Sequence, residues 1–202
     1  MLETARKRAE LRRQAGFWKG KFDWACACGD VRGCLLQEEL KHDRFGIRLQ
    51  EEEGRFKGVL DLGEQARRCS GFEIEAWVVV PWSQLRGDGE AAKWLEGVKL
   101  ADRDITSRDP VQLYRPAPGV ERYRCEKCGA RILLVERKRP GVVKIAAGLL
   151  RSEDGARPED WIAWELDADH EDADPGLVDE LRNSLQSWNE AMKAAVQTQE
   201  TK

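Results

Sequence analysis

At 202 residues, 35% of them charged and 41% apolar, with a formal net charge of −3, the chain has the size and balance of one globular domain with appended ends. No apolar run approaches the ~20 residues of a membrane-spanning helix, and the slightly acidic balance does not favour general nucleic-acid binding. Glu3 and Glu10, among many early charges, argue against a secretory signal or mitochondrial presequence and point to cytosol, or cytosol and nucleus.

Residues 1–19 form an N-terminal extension, helical to Gly16, with a weak apolar stripe of Leu2, Ala5 and Ala9. Residues 20–168 form the main, β-rich domain. Its expected strands are Phe56–Leu62, Trp77–Val80, Val111–Arg115, Ala130–Glu136, Val142–Leu149 and Trp161–Leu166, short apolar or alternating runs punctuated by Gly, Pro and Asp. Residues 83–97 are more helical, with Ala91, Ala92, Trp94 and Leu95 between glycines. Residues 169–202 are an acidic linker and an amphipathic helix. Asp174 is the expected N-cap and Pro175 the first helical residue, and Leu177, Leu181, Leu185, Trp188 and Met192 form one stripe that favours docking on the β-core. The basic clusters Arg6-Lys7-Arg8, Arg12-Arg13 and Arg137-Lys138-Arg139 read as solvated faces. Trp77, Trp82, Trp161 and Trp164 lie in β-like runs and read as core or pocket walls.

Cysteine spacing is the sharpest chemical signal. Cys26 and Cys28 are two apart, so an extended backbone would present both sulfurs on one face. Cys125 and Cys128 have the C-x-x-C spacing of a zinc knuckle, and Gly129 supplies a permissive turn. Four thiolates with no open position describe a structural ion, one zinc per chain. Two disulfides do not suit a cytosolic chain, and simple core packing does not explain a pair enclosing charged Glu126 and Lys127.

The series Cys26-x-Cys28-Gly29-x-Val31-Arg32, Arg67-Arg68-x-Ser70-Gly71-Phe72 and Tyr123-Arg124-Cys125-x-x-Cys128-Gly129 resembles the glutathione-dependent formaldehyde-activating enzyme and centromere protein V family. Ala147-Gly148-Leu149 and Trp161-x-x-Trp164 suit its fungal-type branch, and the resemblance covers roughly residues 20–166. It implies a mainly β, β-tent fold around a structural zinc held at Cys26, Cys28, Cys125 and Cys128, with helices at both ends here. It further implies a carbon–sulfur lyase that combines glutathione with formaldehyde on a second, catalytic zinc, making glutathione or another small thiol the implied partner. The three cysteines for that second ion should fall at positions 61, 63 and 66, where this chain has Asp61, Gly63 and Ala66. Glycine and alanine side chains carry no donor atom, so no catalytic residue is assigned and loss of the second zinc is expected. Two functions follow: a lyase by descent, or a zinc-stabilised binding or scaffold module without that catalysis.

Other candidates are weaker. Cys69, beside Arg67 and Arg68, could be a reactive thiol but more simply packs; Cys34, before Leu35-Leu36, also reads as packing. His42 reads as part of an exposed charged turn and His170 as part of a solvated acidic linker.

Overall fold

The computed structural model describes residues 21–36, 55–100, 109–151, 161–167 and 172–200, with side chains of the last helix described to residue 191. The expected N-terminal helix, His42 and His170 lie outside the described residues. Strand outweighs helix, as expected. The strands are β1 (Lys21–Ala25), β2 (Arg32–Leu36), β3 (Phe56–Asp61), β4 (Glu75–Pro81), β5 (Leu85–Gly87), β6 (Val111–Ala117), β7 (Val120–Cys125), β8 (Arg131–Glu136), β9 (Val142–Ala146) and β10 (Ile162–Leu166). The helices are α1 (Glu64–Ser70), α2 (Glu90–Leu100) and α3 (Pro175–Glu200).

Two sheets result. The smaller runs β1-β2-β5 and the larger β10-β3-β4-β9-β8-β7-β6, antiparallel throughout except for the β10–β3 pair. In β1 the alternation Lys21-Phe22-Asp23-Trp24 buries the two rings and leaves the ions outside. The continuous apolar run of β4 has a different cause. This strand lies inside the larger sheet, so Val78 and Val80 enter the main core while Val79 packs with Val59 and Val142 in a second cluster. The sheets meet where Leu150 bridges Trp24 and the Arg151 N–H donates to the Asp23 carbonyl at 2.9 Å.

The helical stretch expected over 83–97 resolves into a short 3-10 turn at Trp82–Gln84, strand β5 and helix α2. Ala91, Trp94, Leu95 and Val98 of α2 are buried, and Trp94 stacks on Tyr123 with centroids 5.8 Å apart. The strand expected through Leu149 stops at Ala146, because Ala147–Leu149 turns in a 3-10 helix that brings Leu150 to Trp24. At the C-terminal helix, the Leu177 N–H donates to Asp174 Oδ1 at 2.8 Å, the expected N-cap. Leu177 and Leu181 pack on Leu62, Ala173 and Val178, and Leu185 packs on the main core, so these three residues of the stripe dock in cis, while the side chain of Met192 lies outside the described residues.

Candidate metal centre

The Cys26–Cys28 pair does not lie in a strand. β1 ends at Ala25, and the chain turns so that Cys26 N–H donates to the Val31 carbonyl at 2.8 Å and Gly29 N–H to the Cys26 carbonyl at 3.1 Å. The second pair repeats the turn. Cys125 N–H donates to the Ala130 carbonyl at 2.7 Å and Gly129 N–H to the Cys125 carbonyl at 3.0 Å. Gly29 at φ +80 and Gly129 at φ +70 close both turns in the left-handed region that side chains disfavour. The C-x-C pair is thus a second knuckle at the β1–β2 hairpin, facing the knuckle at the β7–β8 hairpin. Strand alternation is the wrong reason for its two convergent sulfurs; the turn is the right one.

The four Sγ atoms of Cys26, Cys28, Cys125 and Cys128 all lie within 4.8 Å of one another, with Cys26–Cys28 at 3.4 Å and Cys28–Cys125 at 3.6 Å. Four sulfurs at a Zn–S distance of about 2.3 Å in a tetrahedron would be about 3.8 Å apart, so the donor set fits one ion closely. A disulfide needs about 2.05 Å, and all four cysteines are free. The Val31 N–H donates to Cys26 Sγ at 3.3 Å, the kind of peptide contact that stabilises negative sulfur. Lys127 of one knuckle pairs with Asp30 of the other at 3.1 Å.

Protonation divides Cys28, Cys125 and Cys128. Burial pushes Cys125 up to about 12. Backbone N–H groups of Ala130 and Cys28 draw exposed Cys128 down to about 6. Cys28 is also raised: the Asp30 peptide N–H lowers it, but burial and the neighbouring Cys26 and Cys128 sulfurs outweigh that pull. A cation that replaces those protons removes the conflict among crowded sulfurs.

Elsewhere the sequence candidates separate. Cys34 is buried on β2, and burial raises its thiol. Cys69 is half-buried on α1. Asp61 ends β3, Gly63 precedes α1 and Ala66 is buried on its inner side. Asp61 Oδ1 accepts the Gly63 N–H at 3.0 Å; burial raises this carboxyl against the pull of that bond. Among the described residues, no second group of three or more His, Cys, Asp or Glu side chains converges.

What occupies this neighbourhood is an ion-pair network that sequence reading missed. Buried Glu75 accepts from Arg122 Nη1 at 2.7 Å and pairs also with Arg131, while Asp61 lies 4.0 Å from Arg122. Lys144 pairs with Asp167 at 3.0 Å. The register explains the grouping: Asp61 faces Glu75, and Arg122 connects through Leu134 and Lys144 to Val79 across one sheet face. Arg137, expected to be solvated, donates to the Val98 carbonyl at 2.9 Å and pairs with buried Glu121. A charged residue inside an otherwise apolar strand, as at Glu75-Ala76-Trp77, was the available signal.

No family model and no curated protein matches the chain. Among solved structures it is similar to a Rhodobacter sphaeroides protein determined as a structural-genomics target, at 14% identity, covering 71% of this chain and 99% of that one with a TM-score of 0.40. So distant a likeness carries no functional weight. None of the three chain helices described is long and apolar enough to cross a membrane.

Proposed function

We propose that the chain is a zinc-stabilised binding module of the formaldehyde-activating enzyme and centromere protein V type, with one tetrathiolate zinc and without the family's lyase chemistry. The convergence of the four sulfurs carries this reading, because two knuckles from separate sheets have no other reason to press four thiols within 4.8 Å. The ion would be coordinatively closed. It would hold the smaller sheet against the larger one and supply neither a Lewis-acid position nor an activated thiol.

Formaldehyde activation needs a second, open metal to lower a thiol's pKa or polarise a carbonyl. Asp61 offers oxygen, but Gly63 and Ala66 offer nothing, and Asp61 is already engaged by the Gly63 N–H. Glu75 and Arg122 fill the adjoining sheet face with a self-neutralising pair. The walls of a binding site can persist after such a loss, with a small molecule such as glutathione or another thiol as the partner that the resemblance suggests. The test is formaldehyde consumption by the zinc-loaded protein with glutathione present. The binding-module reading expects no turnover above the protein-free rate; zinc-dependent turnover that saturates with glutathione would overturn it.

A further inference from the structure

We propose that the cavity between α1 and the β6–β7–β8 face is a binding site for a small aromatic oxyanion, a carboxylate or phosphate ester carrying a flat apolar body. The cavity has a volume of 580 Å³, within the usual range for a small-molecule site. The sheet register makes its floor. Gln112 pairs with Arg124 and Tyr114 with Arg122, and residues two apart share a face, so these four side chains stand together. Arg68 and Cys69 of α1 line the opposite side, with Arg131 between.

Its charge is one-sided. Arg68, Arg122, Arg124 and Arg131 line the cavity, and no lining residue is acidic. Arg68 pairs with Glu64 on its own helix, and Glu75 is shared by Arg122 and Arg131, so the compensating acids lie outside the lining. Arg124 has only a neutral partner among the described residues, donating from Nε to Gln112 Oε1 at 2.7 Å, so its two outer nitrogens remain available to an anion. A planar fork of this kind suits carboxylate and phosphate oxygens.

A second observation points the same way. Trp77 and Arg122 are both more than nine-tenths buried and line this cavity, yet Trp77 Nε1 and Arg122 Nε have no acceptor among the described residues. Buried donors without acceptors are uncommon and mark a place for a water or a ligand oxygen. Both are donors with almost no exposed surface, so a side-chain shift that opened either one to the cavity would favour an acceptor-rich ligand. The aromatic half of the proposal rests on Tyr114, 55% exposed at the cavity. Such an exposed ring offers a stacking surface for a flat ligand. The guanidinium of Arg122 lies over the Trp77 ring, 5.7 Å from its centroid, so the buried ring holds this cation in place on the cavity wall.

The inference names a ligand class for the binding-module reading and so rests on it, but the two are measured apart: turnover is assayed with formaldehyde and glutathione, anion binding with neither. Calorimetry on the full, zinc-loaded chain would use phenyl phosphate, benzoate, inorganic phosphate and neutral benzyl alcohol as probes. Phenyl phosphate or benzoate should bind measurably tighter than inorganic phosphate and benzyl alcohol; which of the two wins identifies the oxyanion. Arg124→Gln should weaken the better probe about tenfold or more, the usual loss for a charge-assisted hydrogen bond. Gln112→Glu, which gives Arg124 an internal carboxylate, should weaken it comparably. Both positions are away from the apolar core, and zinc content with far-UV circular dichroism confirms folding of each variant. Absence of binding by both aromatic anions, equal binding of benzyl alcohol, or affinities unchanged in both variants would overturn the proposal.

Discussion

Replacing Cys125 with alanine probes the metal's hold on the fold quantitatively. The proposed ion joins knuckles whose nearest ligands are 97 residues apart, each carried by a different sheet. For a cross-link closing a loop of that length, chain entropy alone gives about 4.7 kcal/mol at 25 °C. Structural zinc in small domains is worth on the order of 10 kcal/mol, so the entropic figure is a lower bound for a fully lost site. Cys125→Ala leaves Cys128 as the one thiolate on its knuckle, and a loss of about 5 kcal/mol should follow. At about 2–4 °C per kcal/mol for a domain of this size, the melting temperature should fall by roughly 10–20 °C. Cys34→Ala is the control, because Cys34 is equally a buried sulfur but stands outside the cluster; its cost should stay near about 1 kcal/mol. Urea unfolding of both variants and of the natural chain, with and without EDTA, reads all three. Equal losses at Cys125 and Cys34, with a midpoint indifferent to EDTA, would refute metal cross-linking.

Three further outcomes follow from other contacts. Glu75→Gln removes the carboxylate shared by Arg122 and Arg131 and leaves buried Arg122 with Asp61, 4.0 Å away, as its remaining carboxylate, so urea unfolding should show a loss of about 3 kcal/mol. A loss below about 1 kcal/mol would mean that water already screens the pair. Zinc affinity should rise with pH: Cys28 is raised and Cys125 stands near 12, so both are protonated at neutrality and must lose protons to the ion, whereas Cys128 near 6 is mostly thiolate there. At least two protons leave per ion, which makes the affinity climb roughly a hundredfold per pH unit near pH 7 and fall still faster below Cys128's value; chelator competition at several pH values should find this slope, and a flat profile would exclude thiol ligation. Gly33→Ala would place a Cβ 1.9 Å from the Arg86 carbonyl oxygen across the β2–β5 pair, so the smaller sheet must shift and thermal unfolding should show at least about 2 kcal/mol lost.

What could be read in the sequence depended on how local its cause was. The cysteine pairs were legible because ligand spacing and flanking glycine are local necessities of a knuckle, and Asp174-Pro175 with its leucine stripe announced α3 for the same reason. The strands of the larger sheet stood out where runs were apolar. β7 did not, since Glu121, Arg122 and Arg124 disguise a strand whose Arg122 and Glu121 are themselves buried against partners on other segments. β5 is three residues long and takes its structure from pairing with β2, which no local pattern encodes. The Glu75–Arg122–Arg131 network joins β4 to the β7–β8 hairpin, with Arg122 47 residues after Glu75. Its charges look like solvent-facing residues until the register brings them together.

X-ray absorption at the zinc edge on protein purified without added metal, together with elemental analysis, reads the closed four-sulfur ion that joins the two sheets. One zinc per chain with four sulfur neighbours at about 2.3 Å is the expected result. Two ions per chain, or a first shell containing oxygen and nitrogen in place of sulfur, would contradict it.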